Sequence, residues 1–359
     1  MEALESLCES CLQAGASDLF LREGATPFIR LGDQLVGIET ESTNEELFNH
    51  LWSVCGAKPE ASDHDASFVT RSGLRFRVNL HRQLGLRGAV LRNIKTNIPT
   101  MEELGLPVAL LQKWFSRPSG LILVTGSTGT GKSTTMAAGL EWLNQTSTRH
   151  IITIEDPVEY LFQENLCRFT QREVGADTPT FAEGLRRALR QSPDIILLGE
   201  IRDAVSASTA LQAAETGHLV LASLHSSSAA EAVERLHRIF SPEEREDASA
   251  LLAAQLVGVF TQQLIPGFNK KLFLVGEHFE NQAATRQWIR KGGGTELVDF
   301  MQNSQSPENR SMTTSLVQAY RDGNISLEAA LAAAPAVDEF KRASMGISSQ
   351  AFQAGQSQI

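Results

Sequence analysis

At 359 residues the chain exceeds one ordinary domain, and at roughly 150 residues per domain it divides into two or three compact units. With 42% hydrophobic and 21% charged residues it is globular rather than disordered or fibrous, and four cysteines exclude a disulfide scaffold and fit a reduced cytosolic setting. A formal charge of −10 argues against unaided nucleic-acid binding, and neither a run of ~20 apolar residues nor a basic N-terminal flank marks a membrane span or a signal peptide.

The charge is unevenly spread. Residues 1–65 hold thirteen Asp/Glu against three Lys/Arg, whereas residues 66–98 hold seven Lys/Arg and no acid. Leu4, Leu7, Cys8, Cys11 and Leu12 recur at helical spacing, so Cys8-x-x-Cys11 reads as one buried helix face rather than half of a metal site, Cys55 and Cys167 being solitary. Strands are predicted at 19–21, 27–31, 34–38, 67–71, 74–81 and 86–94, with turns at Gly32-Asp33 and Ser72-Gly73. Residues 1–98 therefore form a small α+β domain on an antiparallel sheet. Residues 99–118 are a linker punctuated by Pro99, Pro107 and Pro118, with a helix predicted over 101–115 and a hinge over 94–107.

From Gly120 apolar strands alternate with helical runs, the strands at 121–125, 151–155, 195–199 and 219–223, which predicts a parallel sheet covered on both faces. We take 119–280 as this α/β core; beyond Ser241 the text reads as helical except for a strand at 271–279. Residues 281–342 are a C-terminal helical region, and 343–359, uncharged and rich in Ser and Gln, read as a disordered tail.

Gly126-Ser127-Thr128-Gly129-Thr130-Gly131-Lys132-Ser133 fits G-x-x-x-x-G-K-[ST] and lies between a predicted strand and a predicted helix that includes Thr134. Glycines let the backbone curl with its N–H groups inward, Lys132 is placed for β- and γ-phosphates, and the Ser133 hydroxyl for Mg²⁺. The ligand is then a nucleotide that carries β- and γ-phosphates. Glu200 follows the strand at 195–199 and is the candidate general base, its alternative being an ion pair with Arg202. The Glu155-Asp156-Pro157 strand end, His218 and His225 point to the same sheet edge.

These segments, VTGSTGTGKSTT, ITIEDPVEY, LRQSPDIILLGEIRD and AAETGHLVLASLHSSSAAEAVERL, resemble the Walker A, Asp box, Walker B and His box of secretion ATPases, most closely PilT-type type IV pilus retraction ATPases. ASDLFLREGATPFIRLGDQL and RFRVNLHR resemble that family's PAS-like N-terminal domain, and the likeness runs from about residue 14 to 335. It implies a RecA-like P-loop ATPase domain with a PAS-like α+β N-terminal domain and C-terminal helices. It assigns Lys132 and Ser133 to phosphate and magnesium, Glu159 to the Asp-box acid and Mg²⁺, directly or through water, Glu200 to catalysis, and His218 and His225 to the His box. Family members form homohexamers with nucleotide between the two domains of a subunit, which gives Arg75, Arg77 and Arg92 a purpose at the γ-phosphate. The expected partners are an inner-membrane pilus platform protein and a paralogous retraction ATPase, with the ring cytoplasmic and membrane-peripheral only through partners.

A tetracysteine zinc module and a longer N-terminal extension, common in assembly ATPases, are lacking, and Ala284-Thr-Arg-Gln-Trp-Ile-Arg290 resembles the A-I-R-N-L-I-R retraction element. Thr285, Trp288 and the Gly292-Gly293-Gly294 run depart from that element, which leaves a PilU-like accessory ring as the alternative. A nucleotide-sensing ring, a DNA motor and a type IV secretion ATPase are further alternatives.

Overall fold

The computed structural model describes residues 2–32, 34–40, 43–268 and 271–346. Two compact units emerge, one of residues up to Thr96 with Glu159–Leu161, the other of Asn97–Val158 with Phe162 onward.

The first unit contains α1 (Glu2–Gln13), β1 (Asp18–Arg22), β2 (Phe28–Leu31), β3 (Gln34–Gly37), α2 (Glu45–Val54), β4 (Asp63–Val69), β5 (Arg75–Gln83) and β6 (Leu86–Asn93). The strands form one antiparallel sheet ordered β3-β2-β1-β6-β5-β4. Period-2 alternation decides its faces. Phe76, Val78, Leu80, Ala89 and Leu91 point into a core shared with α1 and α2, while Arg75, Arg77 and Asn79 point out. Cys8 and Cys11 are free and buried in that core, and burial pushes Cys8 up to about 12 and Cys11 to about 11, so both are inert packing residues. β4 begins earlier than the predicted 67–71, and it ends earlier because Thr70 turns the chain, its hydroxyl accepting from the Leu74 N–H and its carbonyl from the Gly73 N–H. Asp33 of the predicted Gly32-Asp33 turn lies outside the described residues. Residues 159–161 join this unit through Lys95, whose N–H donates to the Glu159 carbonyl and whose carbonyl accepts from Leu161.

The second unit continues with α3 (Val108–Phe115), β7 (Gly120–Thr125), α4 (Lys132–Thr146), β8 (His150–Glu155), β9 (Arg168–Glu173), α5 (Phe181–Ala188), β10 (Ile195–Leu198) and α6 (Ala204–Glu215). There follow β11 (Leu219–Leu224), α7 (Ala229–Ile239), α8 (Arg245–Gln255), β12 (Leu256–Pro266) and β13 (Leu272–Glu280). The chain ends in α9 (Arg286–Arg290), α10 (Gly294–Asn303), α11 (Met312–Arg321), α12 (Leu327–Ala333) and α13 (Val337–Ser344). Its sheet runs β13-β12-β7-β11-β10-β8-β9, parallel except for the β12–β13 pair.

Alternate strand residues feed two cores. Leu121, Leu123, Ile196, Leu198, Val220 and Ala222 meet α5–α8, and Ile122, Val124, Leu197 and Leu221 meet α3 and α4. That double burial is why these strands read as continuous apolar runs.

Three further predictions differ from the structure. The helix expected over 101–115 starts only at Val108, since Pro107 lacks an N–H and stands at the cap while 101–105 form turns. β9 and β12 were not expected, β12 lying in text read as helical; it is buried on both faces, so no alternation reveals it. Of the predicted tail, Ala343 and Ser344 close α13, and 347–359 lie outside the described residues.

Candidate active site

β7 is apolar and fully buried up to Thr125, and the chain then reverses into α4 through three glycines with positive φ: Gly126 (145°), Gly129 (80°) and Gly131 (86°). At Gly126 the requirement is also spatial, because a Cβ there would sit 2.4 Å from the Gln262 carbonyl oxygen. The first turn of α4 contains no acid, so its positive end is available to an anion. Lys132 is 9% exposed, and its Nζ donates to the Gly126 and Ser127 carbonyls, 2.9 Å each, and stands 3.5 Å from His225 Nδ1. Ser133 and Thr134 follow it in the same turn.

Glu200 comes two residues after β10, with its side chain 14% exposed. Its Oε2 accepts from Arg202 Nε at 2.7 Å and its Oε1 lies 3.3 Å from His225 Nε2. Both readings of Glu200 are therefore present at once: the ion pair with Arg202, and a line Glu200–His225–Lys132 to the phosphate loop. Arg202 also donates to Asp156 at 3.2 Å, and these carboxylates raise its pKa, Glu200 first. Asp156 thus serves by holding the arginine that holds Glu200.

His225 reaches this line because it directly follows β11, at the strand's carboxyl end. His218 precedes the same strand, bonding Ala213 O and Thr216 Oγ1. The six residues of β11 between them put the two histidines roughly 20 Å apart at opposite sheet edges. Within one chain, His218 is not brought to the phosphate loop.

In the N-terminal unit the basic strip separates into two sets. Arg87 is tied to Glu23 and Asn49, Arg82 to the Pro59 and Ala61 carbonyls, and Arg71 pairs with Glu5. Arg75, Arg77 and Arg92 share the outward face, with Arg77 directly across from Arg92. Arg92 Nε donates to Asp18 at 2.7 Å, and a cleft of about 330 Å³ is lined by Asp18, Asp65, Arg77, Asn79, Val90 and Arg92. Glu159 lies in the segment paired with Lys95 in this same unit.

One functional residue was missed. Gln262 of β12 is fully buried; its Nε2 donates to Thr130 O at 2.6 Å and its Oε1 accepts from Thr135 at 2.8 Å, bracing the phosphate loop from the neighbouring strand. The available signal was the polar Thr261-Gln262 pair inside an otherwise apolar run.

The parallel sheet, the glycine loop ahead of α4 and a carboxylate beyond β10 define a P-loop ATPase with a RecA-like core. The chain belongs to the type II/IV secretion system protein family, whose model matches residues 64–331, and within it to the PilT/PilU-type type IV pilus ATPases. It is 38% identical over 334 residues to the type IV pilus retraction ATPase PilT of Pseudomonas aeruginosa, covering 91% of this chain and 96% of PilT. It is 37% identical over 346 residues to that organism's type IV pilus ATPase PilU, covering 94% and 90%. A crystal structure of the pilus retraction motor PilT with bound ADP superposes with a TM-score of 0.85 at 37% identity, covering 94% of this chain and 98% of that one.

Proposed function

We propose that the chain is the subunit of a homohexameric motor that hydrolyses ATP to ADP and phosphate and drives type IV pilus retraction, acting on the inner-membrane platform protein from the cytoplasmic side. The observation that carries the chemistry is the line from Lys132 through His225 to Glu200, which joins the phosphate loop to a carboxylate at the end of the adjacent strand. Glu200 orients the attacking water and takes its proton, while His225 and Arg202 fix the carboxylate. Lys132 spreads positive charge over the β- and γ-phosphates, and the Gly126–Thr134 segment supplies backbone donors.

The oxygen donors Ser133 and Glu159 are of the hard type that suits Mg²⁺. They would hold Mg²⁺ with bound ATP, and the ion would supply charge neutralisation for the phosphates. By the family resemblance, Arg75, Arg77 and Arg92 add cationic charge at the γ-phosphate, and His218 belongs to the His box. The similarity to PilT and the retraction-like element at 284–290 support the direction of work.

The test of chemistry is Glu200→Gln: steady-state kcat falls about 10²- to 10⁴-fold with nucleotide affinity retained. Full activity in that variant removes Glu200 from the mechanism. The test of direction is a deletion strain. Hyperpiliated, non-twitching cells agree with retraction; bald cells overturn it in favour of assembly, and normal pili with a secretion defect in favour of a related secretion machine.

One observation favours a second reading, a PilU-like accessory ring. The departures Thr285 and Trp288 are built into the fold, Thr285 Oγ1 donating to Asn281 Oδ1 at 2.9 Å and the Trp288 ring lying 5.6 Å from that of Phe300. An accessory ring predicts that deletion leaves twitching intact unless the paralogous motor is weakened.

A further inference from the structure

Glu277, in the middle of β13, is 7% exposed, and no part of the reaction described above uses it. Its Oε1 accepts from the Ala229 N–H at 2.6 Å and its Oε2 from the Met312 N–H at 3.1 Å. These are the first helical N–H groups of α7 and α11, whose caps are Ser228 and Ser311. Burial pushes the Glu277 carboxyl up, and the two backbone donors pull it back. A glutamine would fill the same space without the cost of a buried charge. What it lacks is a second acceptor, since its NH₂ would confront one of the two N–H groups, and the charge that two converging helix N-termini favour.

The helix held this way carries the histidine of the reaction. Only Ser226 and Ser227 separate His225 from the Ser228 cap, and α7 grips this stretch from its own side. Arg235 Nη1 donates to the His225 carbonyl at 2.6 Å, and the Ser227 N–H donates to the Glu231 carboxylate at 2.6 Å. Where α7 begins therefore decides where the His225 ring stands between Lys132 and Glu200. On the other side α11 is seated on β13 by Ser315 Oγ donating to Gly276 O at 2.6 Å, and by His278 and Arg310 exchanging backbone hydrogen bonds at 3.0 and 2.8 Å.

We propose that Glu277 is a positioning residue for ATP hydrolysis: by pinning the N-terminus of α7 to that of α11, it sets the loop that carries His225 and so the hold of His225 on Glu200. The proposal rests on the assignment of His225 and Glu200 to the chemistry, and it ties that chemistry to the C-terminal helices through a single carboxylate.

The full-length protein, assembled as it purifies, is compared as wild type, Glu277→Gln, His225→Gln and the double variant, by kcat and KM for ATP with Mg²⁺, ADP affinity and unfolding midpoint. Glu277→Gln is expected to lower kcat about tenfold, with ADP affinity within about twofold of wild type, and the double variant to be no slower than His225→Gln alone. A merely structural role predicts the opposite, losses that multiply or a kcat unchanged in the folded fraction, and either result overturns the proposal. If Glu277→Gln does not fold, Glu277→Asp, which keeps the charge but reaches only one donor, is read by the same cycle. A His225→Gln enzyme turning over at the wild-type rate overturns the underlying site assignment instead, so the two failures are distinct.

Discussion

Replacing Gln262 with leucine asks whether the phosphate loop is held from outside itself. The Gln262 amide is fully buried and faces two ways, donating to the Thr130 carbonyl and accepting from the Thr135 hydroxyl. A neutral hydrogen bond contributes about 0.5–1.5 kcal/mol net, so losing both destabilises the ATPase unit by about 2 kcal/mol. At about 2–4 °C per kcal/mol for a unit of this size, Tm falls by about 4–8 °C. Only the Thr130 bond holds the loop, since Thr135 is one turn inside α4. The share expressed in binding is therefore about 1 kcal/mol, or about fivefold weaker ADP and ATP binding. Thr135→Val separates the shares: it removes the other bond, lowers Tm and leaves affinity where it was. Equilibrium titration with a fluorescent ADP analogue, well below either Tm, reads the difference. Wild-type affinity in Gln262→Leu would refute the brace, as would equal weakening in both variants, because affinity would then follow global stability rather than the loop.

Two further outcomes follow from packing and burial. A Cβ at Gly139 in α4 would lie 2.2 Å from the buried Phe115 ring, so the gain of about 1 kcal/mol in helix propensity from Gly139→Ala is outweighed by overpacking of about 1–3 kcal/mol. Tm should fall by a few degrees, and Phe115→Leu in that background should restore part of it; a rise in Tm for the single variant contradicts this. Burial, with Arg310 adding to it, lowers the pKa of His278, against the opposing hydrogen bond to the Pro307 carbonyl. A depressed folded pKa contributes stability that is present above the unfolded value near 6.5 and lost as pH falls through the folded one. Unfolding midpoints should therefore drop between about pH 7 and 5, and the slope should be shallower in His278→Asn; parallel curves exclude His278 as a source.

What the sequence disclosed of the site is what local spacing encodes. Gly126 to Ser133 specify their own backbone path, and Glu200 is visible because β10 is a short apolar run followed by Gly199. Arg75 and Arg77 fall on one face by period 2 alone. His218 shows where such reading stops. A histidine on either side of a strand looks like a pair, but six intervening extended residues carry them to opposite edges of the sheet. β12 shows it again: with both faces covered, its residues carry no alternation, and only Gln262 marks the strand, by a pairing 132 residues distant in the chain.

That failure is informative about how the site is built. Lys132, Glu200 and His225 all lie beyond the carboxyl ends of strands whose own sequences announce them, Lys132 after the loop that follows β7, Glu200 after β10 and His225 after β11. Further groups that brace them come from β12 and β13, the pair that closes the sheet on one side. Gln262 faces the phosphate loop and Glu277 faces the start of α7, each buried and each bonded on two sides, Glu277 to two backbone N–H groups and Gln262 to the Thr130 carbonyl and the Thr135 hydroxyl. A buried polar side chain of this kind is tolerated only when its partners are fixed, and it fixes them in return. The residues assigned to the reaction can therefore be read from nearby residues, whereas the contacts that brace them come from far away in sequence, where no spacing rule reaches.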